Sequence, residues 1–159
     1  MQCKGITLLE LLVTLSIAAI LLSLAVPSFS SWMTKNRLRT AAYDLLTDIQ
    51  KTRSEAVMRS TRITLWNGAD NNWASGWEIF VDSDQDGVHD SGETLLYTRS
   101  DRDGTLEITG NSSVATMVSY QPAGQSVLAS GSFQAGTLTL CGRGINKAYQ
   151  IVISRGGRP

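Results

Sequence analysis

The feature that most constrains the fold of this chain is an apolar run near its start. Residues 6–26 are apolar apart from Thr7, Glu10, Thr14, Ser16 and Ser23. As a helix rising about 1.5 Å per residue, these 21 residues span roughly 32 Å, which is about the thickness of one bilayer core. The run therefore predicts a helix that crosses a membrane or is buried in an assembly.

A single acid, Glu10, lies inside this run, and Lys4 and Gly5 come directly before it. A carboxylate within a membrane-length helix costs free energy, so it is a functional hypothesis by default. A cleaved secretory signal with a poor cleavage site at residues 23–25, or a plain membrane anchor, leaves both Glu10 and Gly5 unexplained. An acid at this distance from a Lys-Gly pair resembles the class III signal of type IV prepilins.

The resemblance to prepilins implies how this segment is processed and used. Prepilin peptidase would cut between Gly5 and Ile6, and the new amino terminus would be methylated. Since a buried carboxylate needs a partner, Glu10 would pair with the Ile6 amine of a neighbouring subunit. Pilins more often begin with Phe, so Ile6 departs from the common pattern. Pro27 stands where pilins carry a helix-kinking proline, and it predicts a kink or local melting over residues 23–27.

After Pro27 the helix is predicted to continue to about Arg59 as the first element of a soluble head. Its apolar positions recur at spacings of three and four residues, which gives one narrow stripe that we expect to pack on a sheet. The stripe consists of Leu38, Ala42, Leu45, Ile49, Thr52 and Ala56.

From residue 61 onward the apolar period changes to two, which is typical of strands. The predicted strands are residues 62–66, 77–82, 94–99, 106–109, 115–120, 137–141 and 149–154. A long helix followed by an antiparallel sheet is an α+β arrangement. The predicted domains are a leader at 1–5, a transmembrane or filament-core helix at 6–33, an amphipathic helix of the head at 34–60 and a β-rich globular head at 61–159.

Several segments of the head resemble the GspH/FimT family of minor pilins and pseudopilins. They are residues 73–82, 120–124 and 136–141, and the block from Cys141-Gly-Arg143-Gly144 to Gly157-Arg158-Pro159. This resemblance implies a type IV pilin-like lollipop, with the head in the periplasm and the helix crossing the bacterial inner membrane once. It also implies later transfer to a pilus filament or its tip at the cell surface, with the prepilin peptidase and other minor and major pilins as partners.

Cysteine and charge add two constraints. Cys3 would leave with the leader, so Cys141 would be alone, and we expect it to be buried at the end of a strand.

The net charge is zero, but residues 35–62 carry +4, residues 70–107 carry −8 and residues 108–159 carry +4 with no acid. Such local fields, rather than the sum, steer charged partners.

Enzymatic function finds no support in the motifs. Gly124-Gln125-Ser126 continues without the second glycine of a nucleophile elbow. The glycines around Arg143 lack the third glycine of a dinucleotide loop, and His89, the single histidine, lies in an acidic loop. The chain is therefore predicted not to be an enzyme.

Residues 82–93 match the EF-hand loop pattern D-x-D-x-D-G-x5-E. The oxygen ligands it offers to Ca²⁺ are Asp82, Asp84, Asp86, Asp90 and Glu93. Against the match, strands rather than helices flank the loop, and His89 stands where an aliphatic residue is usual. The alternative is a solvated acidic hairpin loop without metal.

A second candidate site is basic. It consists of Arg143, Lys147, Arg155 and Arg158. If Cys141 and Tyr149 flank one hairpin, these charges gather at one end of the head, and Gly156 and Gly157 give the tail the freedom to follow a phosphate backbone. Four charges predict weak, sequence-independent and strongly salt-sensitive binding of double-stranded DNA.

The family resemblance sharpens this DNA hypothesis. In FimT-like proteins of competent bacteria, a tail with a Gly-Arg-x-Arg motif binds DNA during natural transformation. Here Gly157-Arg158-Pro159 begins the motif, and the sequence ends before a second Arg. The alternatives are a solvated basic end or a surface that docks on the acidic face of the next subunit. The protein would then be a priming minor pilin without DNA affinity, or an H-type pseudopilin of a type II secretion system.

Overall fold

A single long helix precedes all the strands of the protein. The computed structural model describes residues 7–100 and 104–159, and it describes residues 24–27 by their backbone alone. Helix α1 (Leu8–Arg59) has 52 residues, so at about 1.5 Å per residue it is roughly 78 Å long. It begins after Thr7, whose Oγ1 accepts a hydrogen bond from the Glu10 N–H over 3.2 Å. It ends at Arg59, and the next residue, Ser60, has a left-handed φ of 50°.

Helix α1 confirms the predicted end at Arg59 and runs through Pro27 without interruption. Local melting over residues 23–27 is therefore not observed. A proline inside a helix removes one backbone donor and crowds the preceding turn, so a bend at Pro27 stays a prediction.

The predicted apolar stripe on the second half of α1 is confirmed as the part of the helix that enters the core. Leu38, Leu45, Ile49, Thr52 and Ala56 are completely buried, and Ala42 is 8% exposed. Burial on this helix therefore begins at Leu38, a few residues after the predicted boundary between residues 33 and 34.

Within the described residues, eight strands and two short 3₁₀ helices follow α1. The strands are β1 (Ile63–Trp66), β2 (Gly76–Val81), β3 (Thr94–Ser100), β4 (Leu106–Gly110), β5 (Met117–Tyr120), β6 (Ser126–Val127), β7 (Gly136–Gly142) and β8 (Ala148–Ile153). The 3₁₀ helices are Trp73–Ser75 and Ser112–Val114. A five-stranded sheet has the order β3-β2-β1-β5-β6, and a three-stranded sheet has the order β4-β7-β8. Every pairing between these strands is antiparallel.

The seven predicted strands are all present, with ends that differ by one or two residues, and the α+β class is confirmed. Two features differ from the expectation. The strands form two sheets instead of one, and β6 was not predicted because two residues are too short to show a period.

Helix α1 packs on both sheets, where it contacts β1, β5, β7 and β8. The core between them includes the buried indoles of Trp73 and Trp77. Cys141 lies in β7 between two buried neighbours, Leu140 and Gly142, and alternation along the strand turns it to the other face. It is half-buried, so the prediction of a buried cysteine is wrong.

Candidate filament helix, basic surfaces and acidic loop

An apolar stretch in the first half of α1 is left uncovered by the described part of the chain. An 18-residue window of this helix has a mean hydropathy of 2.4, and none of that window is buried inside the protein. By length and composition the helix is able to cross a membrane. Large apolar side chains exposed here include Leu8, Leu9, Leu12, Leu15, Ile17, Ile20, Leu21 and Leu22. A continuous apolar surface of this size requires lipid or other protein around it.

Glu10 lies in the first turn of this exposed helix. Within the described part of the chain, no hydrogen bond or ion pair engages its carboxylate, while its backbone N–H donates to Thr7 Oγ1. A carboxylate in such an apolar setting needs a partner. The predicted cleavage site at Gly5 and Ile6 lies outside the described residues.

The basic residues Arg143 and Lys147 lie in the turn between β7 and β8, and we call this region the turn end. The predicted hairpin is confirmed, since Cys141 pairs with Ala148 and Leu140 pairs with Tyr149. The Lys147 Nζ lies 5.1 Å from the centre of the Tyr149 ring. Arg143 borders a depression that Asp70 also lines.

Arg155 and Arg158 follow β8 at the opposite end of the same hairpin. Residues 154–158 form a turn, in which the Gly157 N–H donates to the Ser154 carbonyl over 2.8 Å and the Ser154 N–H donates to the Arg158 carbonyl over 2.9 Å. Gly157 has a φ of +75°, and a Cβ there would lie 2.7 Å from the Gly124 carbonyl oxygen. Gly157 therefore packs closely against the head, and the flexibility expected of the tail from its two glycines stays a prediction.

A cleft opens beside this tail, and we call it the tail cleft. Its lining includes Gln121, Gln125, Phe133 and Arg155, and its volume is about 490 Å³. The Arg155 guanidinium lies over the Phe133 ring at 4.2 Å from the ring centre, and Phe133 is 54% exposed. The cleft thus combines a cation, an exposed aromatic ring and two side-chain amides.

The expectation that all four basic residues gather at one end of the head is wrong. The register pairs Gly136 with Ile153 and Cys141 with Ala148, so the turn end and the tail cleft lie at opposite ends of the β7–β8 hairpin. Strand β8 has six residues and separates the two groups by roughly 17–20 Å. Arg143 and Lys147 therefore form one pair, and Arg155 and Arg158 form another.

The acidic loop is a hairpin connection, as predicted, because Val81 at the end of β2 pairs with Thr94 at the start of β3. Glu93 accepts hydrogen bonds across the loop, from the Ser83 N–H over 2.6 Å and from the Asp90 N–H over 3.2 Å. His89 does not face the carboxylates of this loop, since its Nδ1 lies 2.9 Å from Glu78 Oε2.

Three carboxylates of this loop converge. Asp82, Asp84 and Asp86 each have a carboxylate oxygen within 4.8 Å of the other two. Asp84 and Asp86 are exposed, whereas Asp82 is buried. Asp90 is exposed and is not among these converging carboxylates, so two of the five predicted ligands, Asp90 and Glu93, stay outside the cluster.

Asp82 is held by a buried polar network that the sequence did not reveal. Its Oδ2 accepts a hydrogen bond from Thr64 Oγ1 over 2.6 Å and lies 3.5 Å from Arg62 Nε. The Arg62 side chain is only 6% exposed, and its Nη2 donates to the Leu128 carbonyl over 2.6 Å.

The sequence also gives no sign of the part that Phe133 has in the tail cleft, because an isolated aromatic residue in a polar loop carries no periodic signal.

Two family models match this chain. The family described as type II transport protein GspH matches residues 41–157, and the prokaryotic N-terminal methylation motif matches residues 1–26. The pilin-like protein PilA1 of Thermus thermophilus is 38% identical over 95 residues, which is 58% of this chain. The match spans 57% of the length of PilA1.

Solved structures agree with these matches. The type IV minor pilin FimU of Pseudomonas aeruginosa superposes with a TM-score of 0.61 at 26% identity, covering 78% of this chain and 87% of the FimU chain. A second crystal form of FimU gives a TM-score of 0.58 at 25% identity, covering 76% of this chain and 88% of the FimU chain. The protein therefore belongs to the GspH family of type IV minor pilins and pseudopilins.

Proposed function

We propose that the protein is a minor subunit of a type IV pilus and has no catalytic role. Prepilin peptidase cleaves it between Gly5 and Ile6, the new amino terminus is methylated, and α1 holds it in the bacterial inner membrane with the head in the periplasm. It then moves into the filament or its tip beside other minor and major pilins. The observation that carries this proposal is an apolar 18-residue window of α1, none of which is buried by the described part of the chain.

Glu10 determines how α1 is aligned with the helix of a neighbouring subunit during assembly. Its carboxylate has no partner in the described part of the chain, and it lies in the first helical turn. When α1 enters a filament core, the charge is neutralised by the Ile6 amine of a neighbouring subunit. A buried pair of this kind fixes the register between subunits, because leaving either charge unpaired costs several kcal/mol.

Processing is tested by mass spectrometry of the protein isolated from pili of its own bacterium. The expected result is a chain that begins at Ile6 and carries one methyl group on its amine. A chain that retains residues 1–5 in assembled filaments would overturn the proposed processing. A Gly5→Leu variant should accumulate in the membrane as the uncleaved form.

The more specific part of the proposal is that the tail cleft binds double-stranded DNA for uptake in natural transformation. Arg155 lies over the exposed Phe133 ring, and Arg158 follows in a turn fixed by Gly157. Residues 108–159 contain no acid, so no nearby charge on this segment repels phosphate. The turn end is a poorer site, because Arg143 shares its depression with Asp70.

Titration of a labelled DNA duplex with the full chain in a non-ionic detergent tests this role at several salt concentrations. Binding should weaken steeply with salt, and Arg155→Ala or Arg158→Ala should each lower the salt slope by about one. Arg143→Ala and Lys147→Ala are matched controls, since they remove the same charge from the other end of the hairpin. Absence of binding at low salt, or equal losses from all four variants, would exclude a site at the tail cleft.

The family description itself favours a second candidate function. The GspH model that covers residues 41–157 is described as a type II transport protein, so the chain would serve as an H-type pseudopilin of a secretion filament. A priming minor pilin without DNA affinity is the other alternative within the pilus. Deletion of the gene separates the two systems: loss of surface pili with normal protein secretion supports the pilus, and the reverse supports the secretion system.

A further inference from the structure

The loop between β2 and β3 has the features of a cation site. Neither assembly into a filament nor DNA binding requires such a site. One carboxylate oxygen from each of Asp82, Asp84 and Asp86 lies within 4.8 Å of the other two. Calcium binds oxygen at about 2.3–2.6 Å, so oxygens on opposite sides of one ion are about 5 Å apart. The three oxygens are therefore close enough to contact a single Ca²⁺ ion.

The buried carboxylate of Asp82 provides an independent observation. The side chain is 0% exposed, its Oδ2 is taken by Thr64 Oγ1, and its Oδ1 has no hydrogen-bond partner. A charged oxygen that is shielded from water without a partner costs free energy. Because Asp82 is one of the three converging carboxylates, a cation held among them lies beside the carboxylate that has this unpaired oxygen.

The local charges and the loop conformation fit a divalent ion. Arg62 Nε lies 3.5 Å from Asp82 Oδ2 and balances that carboxylate, which leaves Asp84 and Asp86 as two exposed charges beside it. Gly87, at the sixth position of the EF-hand pattern, has a φ of +83° and makes the sharp turn. We propose that the loop of residues 82–93 binds one Ca²⁺ ion through the carboxylates of Asp82, Asp84 and Asp86.

Ca²⁺ suits this loop better than Mg²⁺. Mg²⁺ demands nearly ideal octahedral geometry and releases its water slowly, whereas Ca²⁺ accepts six to eight oxygens in irregular arrangements. Glu93, the twelfth residue of the pattern, closes the loop by accepting from the Ser83 and Asp90 N–H groups. It therefore holds the two ends of the loop together around the ion.

Ion binding stabilises the head through Asp82. Thr64, which donates to Asp82, has its Oγ1 2.5 Å from Ser119 Oγ, and the Ser119 N–H donates to Gln134 Oε1 over 3.1 Å. The ion is thus connected to a buried network that joins Asp82, directly after β2, to β1 and β5. A ligand that binds only the folded state raises the melting temperature in proportion to the logarithm of its concentration.

The test titrates the chelator-treated full chain, in a non-ionic detergent, with CaCl₂ and with MgCl₂. Calorimetry should show one Ca²⁺ site with a dissociation constant of about 0.1–1 mM, as in extracellular calcium modules. The melting temperature of the head, followed by near-ultraviolet circular dichroism, should rise with Ca²⁺. Asp84→Asn and Asp86→Asn, both at exposed positions, should each weaken binding by about tenfold or more because one ligand charge is lost.

Glu107→Gln is the matched control, because it removes one exposed acid from β4, away from the loop. It should leave Ca²⁺ affinity unchanged. The proposal is overturned if Ca²⁺ gives no heat and no shift in melting temperature at about 10 mM, well above the affinity range of such modules. It is also overturned if Mg²⁺ acts equally well, or if Glu107→Gln weakens binding as much as Asp84→Asn, since either result shows general screening of charge.

Discussion

Trp77 donates its indole N–H to Asp48 Oδ2 over 2.9 Å, and this hydrogen bond joins β2 to helix α1 inside the core. Arg99 Nε, from β3, donates to the same oxygen over 2.8 Å. The hydrogen bond to Asp48 raises the pKa of Arg99 above its ordinary value, and burial opposes that rise. One carboxylate on the apolar face of α1 therefore fixes the position of the helix on the edge of the larger sheet.

Asp48→Ala should destabilise the head by about 1–3 kcal/mol, because it leaves the buried Trp77 indole N–H without its acceptor and removes one of the two acidic partners of the half-buried Arg99. Asp44→Ala is the matched variant, since Asp44 Oδ2 lies 3.2 Å from Arg99 Nη1 at the protein surface. It should cost less than about 1 kcal/mol. Urea denaturation followed by tryptophan fluorescence measures the free energy of unfolding of both variants. An equal decrease in the two variants would contradict the central role of Asp48.

Tyr120 should make the head sensitive to alkali. Burial raises the pKa of this residue from 10.0 to about 12, while the charge of Arg53 lowers it. Because the folded state holds the phenolic proton more tightly, stability is intact below pH 10 and falls by about 2–3 kcal/mol as pH rises to 12. Urea denaturation at a series of pH values measures this loss.

Tyr120→Phe should remove that part of the pH dependence. At pH 7 it should not destabilise the protein, because the Tyr120 hydroxyl is buried without a hydrogen-bond partner. Tyr149→Phe, at a half-buried position, controls for general effects of alkali. An unchanged pH profile in Tyr120→Phe would show that other groups cause the alkaline loss.

Gly157→Ala should disturb the tail without changing a charge. At a φ of +75° an added Cβ lies 2.7 Å from the Gly124 carbonyl oxygen and 2.8 Å from the Ser126 nitrogen. The strained conformation alone costs about 1–2 kcal/mol, so the turn that carries Arg158 should move. We expect weaker DNA binding, by as much as Arg158→Ala produces.

Gly92→Ala provides the comparison for this variant, because nothing lies within 4 Å of a Cβ at that position and Gly92 lies in the loop between β2 and β3 rather than at the tail cleft. It should leave DNA binding unchanged. Equal behaviour of the two alanine variants in the duplex titration would show that the fixed turn has no part in binding.

The helical stripe and the strands could be predicted from the sequence because each depends on a local period. Leu38, Leu45 and Ile49 are buried as their spacing indicates, and strand β7 lies where alternation places it. The number of sheets could not be predicted. Which strands pair depends on how the loops bring them together, and the loops have no apolar period in the sequence.

The candidate sites were less predictable because they depend on contacts distant in sequence. Strand pairing separates Arg143 from Arg155, although both lie in one basic segment. Arg62 was counted as part of a basic field, but its charge is buried beside Asp82, 20 residues away. The EF-hand pattern found the loop, and only the fold shows that Asp82 is its buried member.

The measurement that tests the filament function most directly uses Glu10→Gln in a strain that lacks the chromosomal gene. The variant keeps the size of the side chain and removes the charge that is expected to pair with a neighbouring Ile6 amine. Wild-type protein and a Glu107→Gln control should appear in sheared filaments, and Glu10→Gln should be cleaved but stay in the membrane fraction. Wild-type levels of Glu10→Gln in filaments, or absence of the wild-type protein from them, would contradict the proposed function.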